Sequence, residues 1–257
     1  MSTLPVNAFK HALAEGRPQI GLWSSLGSGT AAEILAGAGF DWLLIDTEHA
    51  PTELPMVVEQ LRAMVGGTAS PIVRPAWNDP VLFKRLLDVG VQSFLVPFVQ
   101  DATEAARAVA ATRYPPSGTR GVAVTHRANR YGRVPNYFHR AHEELCVIVQ
   151  IETRSALSQL EAIATVEGVD ALFVGPSDLA AALGHIGDNR HPDVQAVFAD
   201  ACTRAQRIGK PIGILAPVEE DARRFLEMGF RFVALGSDIA LLRRAAEELR
   251  GRFPPAP

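Results

Sequence analysis

This 257-residue sequence predicts an α/β fold, a (β/α)8 TIM barrel, and three observations predict it. Short apolar runs of strand length alternate with longer amphipathic stretches, the pattern of βαβ units around a parallel sheet. The alternation repeats eight times, the number that closes such a sheet on itself. A barrel of this kind takes about 250 residues as one domain, so residues 1–257 are expected to form a single domain. A doubly wound open sheet is the alternative.

The first strand is expected at Ile20–Trp23, backed by the helix Thr30–Ala38. Trp42–Asp46 leads into Glu53–Val65, and Pro71–Arg74 into Pro80–Val89. In Asn78-Asp79-Pro80 a polar cap precedes a proline whose missing N–H costs nothing in a first turn. Ser93–Val96 precedes Asp101–Thr112, and Cys146–Ile151 precedes Ser155–Thr165. Ala171–Val174, Pro211–Ile214 and Phe232–Leu235 precede Pro192–Ile208, Pro217–Glu227 and Asp238–Arg252. Gly39, Gly90, Gly209 and Gly229 each stand shortly before a strand, where a left-handed residue closes the helix. Two stretches break the rhythm. Tyr114–Glu144, rich in prolines, arginines and aromatics, reads as a long loop after the fourth strand and is expected to border the barrel mouth. Ser177–His191 reads as an extra half-turn of helix and a loop, and Pro254-Pro255 as the one candidate for a disordered tail.

The charge balance excludes some functions. With 25 basic and 28 acidic side chains the net charge is −3, so there is no basic excess to neutralise a nucleic-acid backbone. No uncharged apolar run approaches the roughly 18 residues of a membrane span. Cys146 and Cys202 are too few for a disulfide framework, and no signal-peptide pattern opens the chain. A cytoplasmic protein acting on small molecules is expected, with Cys146 in the core.

In a barrel the C-terminal strand ends share one mouth, which here is polar and acidic. The second strand ends in Asp46-Thr47-Glu48-His49, the third in Arg74, the fifth in Gln150-Ile151-Glu152, the sixth in Gly175-Pro176-Ser177-Asp178, and the seventh in Leu215. Glu152 and Asp178, on neighbouring strands, suit a hard divalent cation whose other positions go to water and substrate. Alternatively Asp178 caps a short helix and Glu152 pairs with Arg154. The glycine and first-turn amides of Gly175–Asp178 suit a substrate carboxylate, or form an ordinary βα turn. Arg74 is either a fixed cation for an enolate oxygen or half of a structural salt bridge. His49, with Asp46 before it, suits a general base. His126 is watched as part of the loop over the mouth.

Ordered motifs across most of the chain resemble one family. They are Asp41–Pro51, Val73-Arg74-Pro75, Leu87-Asp88-Val89-Gly90, Tyr114–Gly121, Gln150-Ile151-Glu152-Thr153 and Phe173–Leu179. The chain resembles the HpcH/HpaI aldolase family, class II pyruvate aldolases of the 4-hydroxy-2-oxoheptane-1,6-dioate aldolase type. The resemblance implies that Glu152 and Asp178 hold the metal, Arg74 stabilises the enolate, and His49 with Asp46 forms the acid–base pair. It places Gln150, Gly175, Pro176 and Ser177 at the oxo acid and Leu215 near the aldehyde. It also implies a hexamer, a dimer of trimers that exchanges the last helix, in which Asp88 reaches a neighbour's site. Ser177, often alanine in the family, and Thr125–Arg130 are departures.

The expected reaction is a reversible aldol addition of pyruvate or hydroxypyruvate to an aldehyde through a metal-stabilised enolate, using Mg2+, Mn2+, Co2+ or Zn2+. Of the lysines, Lys10, Lys84 and Lys210, none follows a strand at the mouth, so no Schiff base is expected. The alternatives are a lyase of acyl-CoA esters, disfavoured by the lack of a basic cluster near the mouth, and a non-catalytic barrel that binds metal and oxo acid.

Overall fold

In a computed structural model that describes residues 3–253, the chain begins with helix α1 (Ala8–Ala14) and then enters the repeat. The strands are β1 (Gln19–Ser24), β2 (Trp42–Asp46), β3 (Ser70–Arg74), β4 (Ser93–Val96), β5 (Cys146–Ile151), β6 (Ala171–Val174), β7 (Ile212–Leu215) and β8 (Phe232–Ser237). They pair in parallel in chain order, and β8 returns to β1, so the sheet is a closed barrel and not an open one. Pro254-Pro255 lies outside the described residues. Among the described residues no helix is long and apolar enough to cross a membrane.

Alternating side chains divide the core into two layers. Trp23, Trp42, Leu44, Ile148, Phe173 and Phe232 fill the barrel, while Leu43, Ile45, Val73, Val149 and Val174 face the helices. The interior admits the Trp42 and Phe232 rings because their neighbours are glycines. A Cβ on Gly21 would come within 2.1 Å of the Trp42 indole, and one on Gly213 within 2.4 Å of the Phe232 ring.

The outer helices are α2 (Gly29–Ala36), α3 (Leu54–Ala63), α4 (Pro80–Asp88) and α5 (Ala102–Thr112), then α6 (Tyr137–Arg140), α7 (Arg154–Ser158) and α8 (Leu160–Ala164). They continue as α9 (Pro176–Ala182), α10 (Pro192–Arg207), α11 (Glu219–Met228) and α12 (Asp238–Gly251). Gly39, Gly90, Gly209 and Gly229 take positive φ, between 66° and 104°, as helix closure requires.

Four features depart from the sequence reading. Helix α1 was not anticipated; it inserts Phe9 against Trp42 and Phe232 and closes the barrel floor. Its cap, Asn7, accepts from the Lys10 amide and donates to Ser93 Oγ at 2.9 Å. The helix expected over Ser155–Thr165 is two short ones broken at Gln159. The helix after β6, α9, is longer than a half-turn at 7 residues. Finally, the segment Tyr114–Glu144 does not border its own mouth. It follows α5, which has already carried the chain back to the opposite end, and it shares a cavity wall with Pro71, Gln92 and Leu145 at the strand starts. His126 goes with it.

Candidate active site

The last residues of β2 and β3 lie side by side in the sheet, Asp46 opposite Arg74. Arg74 Nε donates to Asp46 Oδ1 at 2.9 Å and Nη2 to Oδ2 at 2.7 Å, a two-point pairing of buried groups. Arg74 Nη1 also lies 2.9 Å from Glu48 Oε2. Burial works against the guanidinium charge, but the Asp46 hydrogen bond and the charges of Asp46 and Glu48 outweigh it and raise the Arg74 pKa. Arg74 is thus half of a buried salt bridge, and that pairing fixes its charge at the mouth.

Asp46 spends its carboxylate on Arg74 and on the backbone N–H groups of Glu48 and His49, at 3.1 and 3.4 Å. It orients the His49 backbone and not the imidazole. The ring's acidic neighbour in this subunit is Glu48, whose Oε2 lies 4.0 Å from Nε2, and the His49 side chain remains 65% exposed. The sequence places Glu48 at the mouth in the same strand-end run as Asp46 but assigns it no role. Burial raises its pKa against the pull of Arg74 and His49.

Glu152 directly follows β5 as a buried residue. Its Oε2 accepts from Gln150 Nε2 at 2.6 Å, and its Oε1 from the Phe98 amide at 2.6 Å. Burial first, then the charges of Glu48 and Asp178, push its pKa up to about 7 against the Phe98 amide and Arg74. Arg154 does not pair with it; that guanidinium donates to Ala182 O. Phe98 was invisible in sequence because its contribution is a backbone N–H.

Asp178 sits in the first turn of α9 and is half-buried, close enough to raise the pKa values of both Glu48 and Glu152. Gly175 gives way to Glu152, since a Cβ there would lie 2.8 Å from Oε2 and 2.7 Å from Gln150 Nε2. Pro176 is buried, Ser177 exposed, and Leu215 half-buried against the interior cluster. The mouth therefore gathers Asp46, Glu48, His49, Arg74, Gln150, Glu152, Gly175, Asp178 and Leu215. Gln150 Oε1 is buried there without a hydrogen-bond donor, and Glu48 Oε2 has the Arg74 guanidinium at 2.9 Å as its ion-pair partner but makes no aligned hydrogen bond. Four carboxylates with one arginine among them, and hard oxygen donors just beyond the ends of neighbouring strands, fit a divalent cation.

Asp88 lies elsewhere. It ends α4 and accepts from Arg120 Nη2 at 2.8 Å, with His126 Nε2 4.0 Å away. The buried Arg120 guanidinium covers the Tyr114 ring at 4.3 Å, and its Nε and Nη1 lack partners. The lysines are also remote. Lys10 donates to Leu145 O below β5, Lys210 to Val169 O below β6, and Lys84 is exposed on α4.

The family model for HpcH/HpaI aldolase/citrate lyase matches residues 19–245. A pyruvate aldolase of Rhizobium etli is 57% identical over 250 residues, 97% of this chain and 98% of its own length. A 4-hydroxy-2-oxo-heptane-1,7-dioate aldolase of Klebsiella pneumoniae is 56% identical over 248 residues, 96% of this chain and 94% of its own. The crystal structure of a HpcH/HpaI aldolase/citrate lyase family protein from Burkholderia cenocepacia superposes with a TM-score of 0.92 at 41% identity, covering 96% of this chain and 99% of that one.

Proposed function

Because the chain belongs to the HpcH/HpaI aldolase/citrate lyase family and is an aldolase, a carbon–carbon lyase, we propose that it adds a 2-oxo acid, pyruvate or hydroxypyruvate, reversibly to an aldehyde. Glu152 and Asp178 would hold a divalent cation, Mg2+, Mn2+, Co2+ or Zn2+. Such a cation supplies Lewis acidity to the carboxylate and 2-oxo oxygens of the substrate.

The chain's own residues do the rest. Arg74, locked by Asp46 and unable to lose its proton, places fixed N–H donors and positive charge where the enolate oxygen develops. His49, exposed beside Glu48, moves the proton between the aldehyde-derived hydroxyl and the enolate. The close approach that Gly175 permits, with the free Gln150 Oε1, shapes the seat for the oxo acid. Exposed Ser177 offers a hydroxyl to hydroxypyruvate, and Leu215 forms the apolar wall toward the aldehyde.

The carrying observation is that carboxylates line the mouth while all three lysines are placed away from it, which favours metal over Schiff-base chemistry. The test follows exchange of the pyruvate C3 protons into deuterium by NMR. Exchange should stop with EDTA, return with Mn2+ or Mg2+, and leave no adduct after borohydride. Exchange that survives EDTA and yields a borohydride-trapped lysine sinks the reading.

Two features support an oligomer, proposed as a hexamer of two trimers. Of α12 only Asp238 is buried, leaving Ile239, Leu241, Leu242 and Leu249 exposed, as an exchanged helix requires. That Asp88 lies far from its own mouth, beside an incompletely satisfied Arg120, supports a role at a neighbour's site.

A further inference from the structure

We propose that the cavity on the N-terminal face, walled by Arg62, Arg127, Arg130 and Arg133, binds a small organic anion that carries phosphate or carboxylate groups. The cavity has a volume of about 780 Å3, within the range of small-molecule pockets. Pro71, Gln92 and Leu145 line it at the starts of β3, β4 and β5, so it opens at the end of the barrel opposite Glu152.

Its charge is uncompensated. Among the described residues none of the four arginines pairs with a carboxylate, whereas Arg74, Arg120, Arg190 and Arg204 each do. Arg127 Nη1 donates to Val89 O and Arg133 Nη1 to Arg130 O, and Arg62 and Arg130 make no side-chain hydrogen bond. Burial and then the nearby Arg62 lower the Arg127 pKa, so the two cations disfavour each other's charge. A chain with a net charge of −3 has concentrated four cations in one hollow.

The wall is also built at a cost. Arg130 and Tyr131 both take left-handed backbone, φ 52° and 58°, a conformation that side-chain-bearing residues avoid. Asn129 holds them there, its Oδ1 accepting from the Gly132 and His126 amides and its Nδ2 donating to Val124 O. Guanidinium forks suit planar or tetrahedral oxyanions, and Leu61 and Met64 give the ligand's body an apolar surface.

The test is calorimetric titration of the intact protein at low ionic strength with phenyl phosphate, with benzene-1,3-dicarboxylate and with uncharged benzyl alcohol. Neither anion has two groups spaced to chelate one cation. At least one anion should bind more tightly than benzyl alcohol, and the tighter of the two identifies the phosphate or the carboxylate class. The double variant Arg62→Ser/Arg130→Ser should weaken it by about tenfold or more, since two charge-assisted partners are lost. That variant removes no side-chain hydrogen bond, and an unchanged melting temperature confirms its fold. The proposal falls if neither anion exceeds the alcohol, or if the double variant binds as the parent does. It falls equally if neither anion binds and the variant changes the mass seen by light scattering, because the arginines then face a second copy of the chain.

Discussion

The amide of Phe98 reaches Glu152 Oε1 at 2.6 Å from a backbone in the left-handed region, φ 52°, while the Phe98 ring stacks on Trp77 with centroids 5.5 Å apart. A bulky residue in that conformation is a true outlier, and here it aims an N–H at a proposed metal ligand. Phe98→Gly keeps the amide and relieves the strain, so it should leave Mn2+ affinity close to that of the parent. Phe98→Pro removes the donor and forces φ negative. It should weaken Mn2+ binding by about 10–100-fold, the usual loss when a ligand's outer partner goes. Equal affinities for the two variants in calorimetry refute the orienting role.

Glu152 carries a pH signature. Its pKa of about 7 in the folded chain stands above the ordinary 4.5. Between those values the metal-free native state holds a proton that the unfolded chain has released. Its contribution to stability is therefore highest below 4.5 and falls as pH rises toward 7, by an amount on the order of 3 kcal/mol. Metal binding displaces the same proton, so affinity should rise with pH up to about 7 and then level. Urea unfolding of EDTA-treated protein, compared with Glu152→Gln across this range, checks it; identical pH slopes contradict it.

Gly175→Ala places a methyl group 2.8 Å from Glu152 Oε2. Because Glu152 is held from both sides, it cannot swing away without losing the Phe98 or Gln150 hydrogen bond. Metal affinity should drop, and the melting temperature of the metal-free protein should fall with the lost buried hydrogen bond. A variant that binds Mn2+ like the parent shows that the close approach is dispensable.

The buried pairing of Arg74 with Asp46 and its proposed role at the enolate should separate in its variants. Arg74→Ala strands the buried Asp46 carboxylate and should cost about 3–5 kcal/mol of stability, beyond the roughly 2.7–4 kcal/mol of transition-state stabilisation that one oxyanion donor supplies. Arg74→Lys restores a charge without the fork, so it should recover stability more fully than kcat. Parallel recovery of the two in denaturation and steady-state kinetics argues against a role at the enolate.

The proposal that Asp88 serves a neighbouring subunit can be tested by mixing variants. Asp88→Asn is preferable to alanine because it keeps an acceptor for buried Arg120. Inactive Asp88→Asn and Arg74→Lys subunits, unfolded together and reassembled, should regain activity in sites that draw each intact residue from a different chain. Mixtures as inactive as both parents return Asp88 to a structural role within its own subunit.

Much of this was written along the chain. Short apolar runs located all eight strands, and glycines closed the helices before four of them, because strand burial and helix termination are local consequences of residue type. Parallel strands send their C-terminal ends to one mouth, so Asp46, Arg74, Glu152 and Asp178 could be grouped from their positions alone. The errors share a cause too. Tyr114–Glu144 was assigned to the mouth by proximity to the fourth strand, but a helix reverses the chain's direction, and α5 had already done so. What only the tertiary structure decided is which partner each mouth residue takes: Asp46 goes to Arg74 rather than the His49 ring, Glu48 joins the carboxylates, and Phe98 contributes its amide to Glu152. The same holds for the four unpaired arginines beneath the barrel, which come from two separate stretches of chain. Pairings of this kind depend on distances between distant segments and on backbone groups common to every residue, and a linear order of side chains encodes neither.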